Sequence, residues 1–488
     1  MGSNNIKNNQ ETSLLHLTLF MGLGGILFAL SKSNMPVFAV IVLFPFLFLL
    51  SIQILQKPII ILYAIFTVNY FIMGITRYIP IDGISVIMDI LYVIALIVIF
   101  IHATLYHSIE WKRAITPLSI GSLIWLVYCI GQLANPTGLL EGWLLSRTLI
   151  INGLIISIIT SLLCVRYKSL QIILFLLAIF TTLAIIKTIT QKYIGFDFYE
   201  SIWVNGRGRK THLIRSGIRY FSFFTDASNL GSNMGCACVV FGLSAFYIKN
   251  KALKTYYTII AIGSVYAMFL TGTRGALIVP LGGLALFTVI SKNIKAMLIG
   301  SMTLFFIYIF FAFTLIGQGN PMIRRMRTAF NPTEDASFNV RKENQQKLGA
   351  YLKAKPFGEG LGLSGDGLGV KLSNRFTTSI PTDSWYVKIW VETGVIGLII
   401  YLGMILLSIA WGAWILMFKI QNPELKGQLC GLLCGIAGMF ASAYGNLFWG
   451  QFPTMLIAFM GITLVLNGEY FDKELKERHY NNSELIHK

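Results

Sequence analysis

Apolar runs of about 20 residues recur along almost the whole chain, and they restrict what it can fold into. A helix of about 20 mostly apolar residues crosses a bilayer core, so each run has the length of one membrane span. Of the 488 residues, 55% are hydrophobic and 12% are charged, which is unlike the composition of soluble domains. The sequence therefore predicts an all-α membrane protein that crosses the bilayer many times.

The apolar runs predict about fourteen spans, or twelve if closely spaced runs form single spans. They lie at 14–30, 37–55, 59–75, 85–106, 116–133, 144–164, 169–187, 231–248, 256–272, 275–291, 296–316, 389–418, 427–445 and 452–468. Two long polar segments, 188–230 and 317–388, interrupt the series. We expect four parts: helices with the first polar loop over 1–316, a partly helical subdomain over 317–388, further helices over 389–468 and a tail over 469–488.

Lysine and arginine in the short loops predict the orientation, because positively charged short loops stay in the cytoplasm. With the N-terminus in the cytoplasm, twelve basic residues fall in inner short loops and three in outer ones. The inner residues are Lys57, Lys112, Arg113, Arg166, Lys168, Lys249, Lys251, Lys254, Lys292, Lys295, Lys419 and Lys426; the outer ones are Lys32, Arg77 and Arg274. The count predicts that both termini are cytoplasmic and that both long loops face outward.

Both predicted outer loops are basic, in a chain whose net charge is +18. Arginine binds closely spaced phosphate oxygens in a bidentate way, so an outer basic cavity suits a lipid-linked pyrophosphate. Nucleic acid is not expected as a partner on this side of a membrane. The alternative is that most of these residues neutralise membrane lipid headgroups or remain solvated.

Three arginines differ from the others in their position. Arg147 lies in the first turn of a predicted span and Arg274 lies between two apolar runs, where charges are commonly functional. Arg341 lies on the apolar stripe of a predicted helix and therefore needs a partner. Snorkelling is the alternative for Arg147 and Arg274, and an ion pair with Glu334 or Asp335 is the alternative for Arg341.

The outer loops carry no convincing cofactor motif. Gly360–Gly365 has the spacing of a dinucleotide-binding glycine motif, but no predicted strand precedes it, so we interpret it as a turn-forming loop. His212 is the single histidine of the two long loops, which is too few for a zinc site. The six cysteines lie within apolar runs and indicate neither a disulfide framework nor a thiolate metal site. We expect no metal and no other cofactor.

Several short motifs follow one another in the second half of the chain. They are Arg219–Asn229 (RYFSFFTDASN), Thr271–Ala276 (TGTRGA), Arg341 followed by Pro356–Gly362 (PFGEGLG), and Asp383–Tyr386 (DSWY) before Val391–Gly397 (VETGVIG). In this order they resemble the bacterial O-antigen ligase/polymerase family, over about 219–397. The resemblance implies a GT-C-like helical bundle with a large periplasmic loop. It also implies an inner-membrane glycosyltransferase whose donor is an undecaprenyl-pyrophosphate-linked glycan.

The resemblance implies transfer at the periplasmic face to one of two acceptors. A ligase uses the lipid A core of lipopolysaccharide, whereas a polymerase of O-antigen or capsular polysaccharide uses a second lipid-linked glycan. Many members have a His-Asn pair where this chain has Asp383 and Ser384, and we take its absence to favour a polymerase. The alternatives are a lipid-linked oligosaccharide flippase or transporter, for which internal repeats would be expected, and a noncatalytic scaffold.

Matching by motif also gives the arginines expected roles. Arg219, Arg274 and Arg341 are expected to bind the pyrophosphate, and Arg274 and Arg341 also to take part in catalysis. Arg147 and Arg215 are supporting candidates for substrate binding. Because a pyrophosphate is already an activated leaving group, cationic side chains can stabilise its developing charge without a metal.

One carboxylate is expected to accept the proton of the attacking sugar hydroxyl. Asp383 takes the place of the histidine of many members and is the expected general base. Asp226 and Glu392 are the competing carboxylates and are expected to line the substrate site. The alternative role of Asp383 is to cap the helix that begins near Trp385.

Overall fold

A computed structural model describes residues 49, 51–79, 83–214, 217–292, 294–319, 321–330, 336–367 and 369–486. The chain divides into two compact units, Met1–Ile61 and Leu62–Lys488. In the first unit, residues 51–56 are helical. The predicted span at 14–30 and most of the one at 37–55 lie outside the described residues.

Helices joined by short turns make up most of the described chain. In order they are α1 (Ile59–Ile75), α2 (Val86–Thr104), α3 (Pro117–Gly131), α4 (Leu140–Leu145), α5 (Arg147–Leu163), α6 (Tyr167–Tyr193), α7 (Phe198–Asn205), α8 (Arg209–His212), α9 (Ala227–Tyr247), α10 (Lys251–Leu270), α11 (Ile278–Ile290), α12 (Ile294–Phe313), α13 (Pro321–Arg327), α14 (Ala336–Leu352), α15 (Gly369–Leu372), α16 (Phe376–Ser379), α17 (Trp385–Phe418), α18 (Pro423–Ser442), α19 (Thr454–Leu466) and α20 (Gly468–Ile486). Short 3₁₀ turns lie at Trp111–Ala114, Gln132–Ala134, Arg274–Leu277, Thr328–Phe330, Ala443–Gly445 and Phe448–Gly450. Two short strands, β1 (Leu213–Ile214) and β2 (Gly217–Ile218), pair antiparallel.

Within the described residues, eight helical segments are long and apolar enough to cross a membrane. They are Val86–Thr104, Pro117–Ala134, Leu140–Leu163, Tyr167–Tyr193, Ala227–Tyr247, Lys251–Leu270, Trp385–Phe418 and Pro423–Gly445. A ninth span results if α19 and the start of α20, bent by 51°, are counted together. Shorter apolar helices lie at three further predicted spans: Ile59–Ile75, Arg274–Ile290 and Gly300–Phe313. An all-α multi-pass membrane protein is thus confirmed, whereas the total of about fourteen spans stays a prediction.

Two antiparallel helices, α9 and α18, are largely enclosed by the bundle. Of their membrane-length windows, 78% and 83% are buried. Glycine permits the close approach: a Cβ on Gly431 would lie 2.7 Å from the Val240 carbonyl oxygen, and one on Gly435 would lie 3.0 Å from the Cys236 carbonyl oxygen. Close backbone packing of this kind holds helices together in lipid. The pair brings the start of α9 and the end of α18 to the same end of the bundle.

The long helix α17 is broken at Gly394, whose φ of 71° lies in the left-handed region. The break removes helical partners from two carbonyl groups, and the glycine-rich loop replaces those partners. Glu359 N–H donates to the Val391 carbonyl at 2.8 Å, and Gly360 N–H donates to the Glu392 carbonyl at 3.1 Å. The loop turns with positive φ at Gly358, Gly360 and Gly362. The turn-forming interpretation of this loop is confirmed, and its place is against a broken helix.

The long polar segments are partly helical. In the first, α6 continues to Tyr193, so the irregular part begins later than the predicted boundary of 188. In the second, the helix predicted around Arg341 is α14. Leu348 and Leu352 on α14 pack against the outer part of α17. This packing fixes α14 beside the start of α17.

Candidate active site

Three arginines from separate segments meet at the turn between α10 and the following 3₁₀ turn, Thr271–Arg274, which we call the basic turn. Arg219 Nε donates to the Thr271 carbonyl at 3.1 Å. Arg325 Nε donates to the Gly272 carbonyl at 2.8 Å. Arg274 is itself the last residue of the turn. The structure therefore brings together residues that are more than 50 positions apart in sequence.

Arg219 is held mainly by uncharged oxygens. Its Nη1 donates to the Thr211 carbonyl at 3.0 Å and its Nη2 to the Thr273 hydroxyl at 2.8 Å. Burial lowers the pKa of Arg219, and the neighbouring Arg274 lowers it further against the opposing effect of Asp226. The two guanidinium groups are thus close enough to repel each other. Such like-charge crowding makes the basic turn a site of positive potential that favours an anion.

A connecting segment between α18 and α19, residues 443–453, lies against the basic turn. Ser442, which precedes it, donates its hydroxyl to the Gly275 carbonyl at 2.7 Å. Within it, the Asn446 carbonyl accepts from the Trp385 N–H at 3.2 Å. The 443–453 segment therefore joins the basic turn to the beginning of α17.

Arg341 faces the same 443–453 segment from α14. Its Nη1 lies 3.7 Å from the position that a Cβ on Gly445 would take. One turn along α14, Gln345 accepts a hydrogen bond from the Tyr444 hydroxyl at 3.2 Å. Arg341 Nε is buried and makes no hydrogen bond within the described part of the chain. A buried donor without an acceptor is unfavourable, so this N–H is suited to receive a ligand oxygen.

Asp383 lies at the start of α17, two residues before the Trp385 N–H that binds the 443–453 segment. It is half-buried and has a left-handed φ of 50°. Ser384 rather than Asp383 caps α17, because its hydroxyl accepts from the Val387 N–H at 3.4 Å. The alternative role of Asp383 as a helix cap is therefore wrong.

A second aspartate, Asp366, lies close to Asp383. The hydroxyl of Thr382 donates to it. Burial raises the pKa of Asp366 to about 6; the positive charge of Lys388 lowers it, and the negative charges of Asp383 and Glu392 raise it. Asp366 is thus within electrostatic reach of two other carboxylates, one of which is Asp383.

Glu392 lies completely buried next to the break in α17. Its Oε1 accepts from the Ser364 hydroxyl at 2.6 Å and lies 3.5 Å from Lys388 Nζ. Its Oε2 has no hydrogen-bond partner among the residues that the structure describes. The contacts of Glu392 are therefore with the glycine-rich loop and its own helix.

Asp226 caps α9. Its Oδ1 accepts from the N–H groups of Ser228 at 2.6 Å and Asn229 at 3.0 Å. Its Oδ2 accepts from Gln451 Nε2, in the 443–453 segment, at 3.3 Å. Both carboxylate oxygens are thus engaged, as is usual for an N-cap residue with a further contact.

Arg147 lies elsewhere, at the start of α5. Its Nε is 2.8 Å from the Asp89 carboxylate on α2, so it has an ion-pair partner in a neighbouring helix. Arg215 falls outside the described residues, as do Glu334 and Asp335. Of the five predicted arginines, Arg219 and Arg274 lie together at the basic turn, and Arg341 faces the adjoining 443–453 segment.

His212 is buried beside Arg219 rather than exposed to a ligand. Its Nε2 accepts from the Ala227 N–H at 3.2 Å. Burial lowers the pKa of His212 to about 4, which keeps the ring neutral and able to accept this bond. Across the described ranges, no group of three His, Cys, Asp or Glu residues is placed to hold a metal ion.

Sequence reasoning missed Arg325 and the polar residues of the 443–453 segment. The available signal for that segment was the polar interruption Asn446 and Gln451 between two apolar runs. No signal in the sequence indicated Arg325, because its contact with Gly272 joins positions far apart in the chain.

Residues 259–402 match the family model described as O-antigen ligase. Over this region the chain is similar to O-antigen ligases. The matched region contains Arg274, Arg341 and Asp383, whereas Arg219 and the 443–453 segment lie outside it. No curated protein sequence matches the chain.

This match confirms the resemblance to the O-antigen ligase/polymerase family for the motifs that lie within 259–402. The match to O-antigen ligases and the apolar helices together support a multi-pass protein of the bacterial inner membrane. The match supports a glycosyl-transferring role of the ligase or polymerase type, in the biosynthesis of surface polysaccharide.

Proposed function

We propose that this protein transfers a glycan from an undecaprenyl-pyrophosphate carrier to an acceptor hydroxyl at the periplasmic face. The observation that supports this most is that Arg219, Arg274 and Arg325 meet at the basic turn. The 443–453 segment lies beside this turn and also contacts α14 and α17. Arginine provides paired donors for pyrophosphate oxygens. A donor of this kind brings its own leaving group, so the site needs only to bind it and stabilise its charge.

In the proposed reaction, the acceptor hydroxyl oxygen forms a bond to the anomeric carbon of the donor sugar. The bond from that carbon to the pyrophosphate oxygen breaks, and the pyrophosphate leaves with the electron pair. Arg219, Arg274 and Arg341 stabilise the negative charge that develops on it. The hydroxyl proton passes to a carboxylate, for which Asp383 is proposed.

The choice of Asp383 as base rests on what the three candidate carboxylates contact. Both oxygens of Asp226 accept hydrogen bonds: Oδ1 accepts two from N–H groups at the start of α9, and Oδ2 accepts one from Gln451. Glu392 is completely buried. Asp383 is half-buried, and no hydrogen bond from a described residue occupies its carboxylate. It also stands at the helix start that touches the 443–453 segment.

We propose a polymerase, because Asp383 and Ser384 stand where many members have a His-Asn pair. The ligase description of the matched family supports the second candidate, transfer to the lipid A core. Purified protein incubated with lipid-linked donor alone, with EDTA and without nucleotide, is expected to make longer lipid-linked chains. Product formed only when lipid A core is added would identify a ligase, and donor movement across vesicles without any product would identify a transporter. Activity lost with EDTA and restored by magnesium or manganese would contradict metal-independent transfer.

The proposed topology has about fourteen helices in a GT-C-like bundle, cytoplasmic termini and outward-facing loops. The proposed parts are 1–316, 317–388, 389–468 and 469–488. Single cysteines at the exposed positions Asn205 and Ser379 should react with a membrane-impermeant thiol reagent from outside, and one at the exposed Lys112 should not. Labelling of the Lys112→Cys variant alone would reverse the orientation and exclude a periplasmic site.

A further inference from the structure

A cavity of about 580 Å³ lies at the end of the bundle opposite the basic turn. It is formed where α6 and α10 begin, with one residue contributed by α18. The basic turn follows the other end of α10, which is 20 residues and therefore about 30 Å away. The cavity is thus separate from the candidate active site.

One side of the cavity is apolar and faces outward from the bundle. Ile172 and Phe175 on α6 are 36% and 46% exposed. On α10, Tyr256 packs edge-on against Phe175 with ring centroids 6.3 Å apart, and its hydroxyl bonds to Thr182 at 3.0 Å. These contacts fix Tyr256 beside Phe175 and give the cavity an apolar wall.

The mouth of the cavity is positively charged. Lys168 lies in the first turn of α6 and Lys251 begins α10, and both are exposed. Asn250 caps α10 by accepting from the Leu253 N–H at 3.2 Å, and Ala252 lines the cavity beside it. A helix N-terminus attracts anions through its N–H groups and its dipole.

A buried amide forms the inner wall. Gln428 on α18 is 2% exposed, and its Oε1 accepts from the Tyr167 hydroxyl at 3.2 Å. Its Nε2 makes no hydrogen bond with any residue that the structure describes, and Gln428 lines the cavity. Because Gln428 lines the cavity, its amide N–H can donate to an oxygen atom of a ligand.

We propose that this cavity binds an anionic phospholipid from the membrane leaflet at this end of the bundle. The phosphate lies between Lys168 and the start of α10, ester oxygens reach Gln428, and an acyl chain follows Phe175 and Tyr256. Two carboxylates lie near the mouth: Glu424, whose charge acts on Tyr167 and Tyr257, and Glu474, which accepts from the Tyr167 N–H at 2.6 Å and is paired with Arg478. Basic pockets between helices on the cytoplasmic side are suited to such headgroups, and the volume lies in the usual range for small ligands.

The test is a lipid titration of the full chain in dodecyl maltoside, followed by native mass spectrometry. Phosphatidylglycerol should bind about tenfold more tightly than phosphatidylcholine with the same acyl chains. The Lys168→Glu substitution should remove this difference, because it places a negative charge at the phosphate. Lys112→Glu makes the same charge change at an exposed site on another short loop and should leave binding unchanged.

A second variant tests the cavity without changing charge. Ala252→Trp, at an exposed position on the cavity wall, should fill the groove and reduce binding of phosphatidylglycerol about tenfold or more. Equal binding of the two lipids, or equal behaviour of the Lys168 and Lys112 variants, would overturn the proposal. Displacement of the lipid by millimolar inorganic phosphate would show a simple anion site instead. These readouts do not depend on transfer activity.

Discussion

The two sides of the candidate active site treat charge in opposite ways. On the basic side, Arg219 donates to carbonyl and hydroxyl oxygens, which orient the guanidinium and leave its charge in place. In the glycine-rich loop that contacts α17, by contrast, the Glu359 carboxylate is bound by Lys355 at 2.6 Å and by Arg375 at 2.9 Å, and these two cations neutralise it. A hydrogen bond from an arginine to a carbonyl orients the guanidinium group and leaves its charge uncompensated, whereas an ion pair neutralises the charge.

The same comparison separates the carboxylates from one another. Glu392 is buried and has Lys388 at 3.5 Å, and Asp366 has a raised pKa. Asp383 has no ion pair within the described part of the chain. Asp383 is half-buried, and its carboxylate has neither an ion pair nor a hydrogen bond from a described residue, whereas Asp366 accepts a hydrogen bond from the Thr382 hydroxyl.

The largest effect is expected from removing charge on the basic side. Arg274→Ala and Arg341→Ala should each reduce transfer by about 100-fold to 1,000-fold, because the developing pyrophosphate charge loses its stabilisation. Lysine should restore little, since it lacks the paired donors of arginine. The measurement is product formation by purified variants in vitro.

Lys342→Ala is the matched control for Arg341, because Lys342 is the next residue of α14 and is exposed. It should transfer at the normal rate. If Arg274→Ala and Arg341→Ala also transfer normally, the basic turn is not a pyrophosphate site, and the difference in charge between the two sides does not serve catalysis.

On the acidic side, the largest effect is expected at Asp383. Asp383→Asn is nearly isosteric but cannot accept the acceptor's proton, so turnover should fall by about 100-fold or more. Donor binding, measured separately with labelled lipid-linked glycan, should stay unchanged. Near-normal turnover would exclude Asp383 as the base and return attention to Asp226 and Glu392.

A smaller effect, on stability, is expected from the raised pKa of Asp366. Its folded-state value of about 6 exceeds the unfolded value, so the folded protein holds a proton that the unfolded chain has lost. The loss of folding stability caused by ionising Asp366 is absent below about pH 4. It grows as the pH rises to about 6 and is constant above that. Asp366→Asn should therefore stabilise the protein at pH 8 by about 1 to 2 kcal/mol, after allowance for partial exposure.

Thermal unfolding in detergent at pH 8 and at pH 4 would measure this difference. The gain at pH 8 should shrink at pH 4, where the aspartate is protonated in both states. An equal gain at both pH values would show that ionisation is not its cause.

The smallest effect is expected at Arg147, the arginine that already has a carboxylate partner. Both side chains of the pair are about one-third exposed, at 35% and 32%, so Arg147→Ala should cost about 1 kcal/mol or less. Transfer should remain near normal. Asp89→Asn is the matched partner variant, and the double variant should be no less stable than either single one. A stable Arg147→Ala protein without activity would show that an ion-paired arginine also binds substrate.

The sequence predicted the helices well because hydropathy is a local property. Each apolar run within the described residues contains a helix, and Arg274 was selected from its position between two runs. Contacts between distant positions were not predictable in this way. Nothing local to Arg325 indicates that it binds the Gly272 carbonyl, and nothing local to Glu392 indicates the broken helix that buries it.

Asp383 shows a subtler limit of sequence reasoning. An aspartate just before a helix is a common cap, and so is a serine, and here the two are adjacent. Which of them caps depends on backbone geometry, and the left-handed φ of Asp383 gives that role to Ser384. Of these two adjacent residues, Ser384 thus has the structural role of capping the helix, and Asp383 is left for the proposed chemical role.

The arginines of the basic turn are held by main-chain oxygens of Thr271 and Gly272. Every amino acid supplies such an oxygen, so the side chain at position 271 is not required for this hold on Arg219. Position 272 is less tolerant, because its φ of 58° strains most side chains. Thr273 is buried and its hydroxyl also accepts from Arg219, so the direction in which this arginine presents its charge depends on the backbone of the turn, on the hydroxyl at position 273 and on the glycine at position 272.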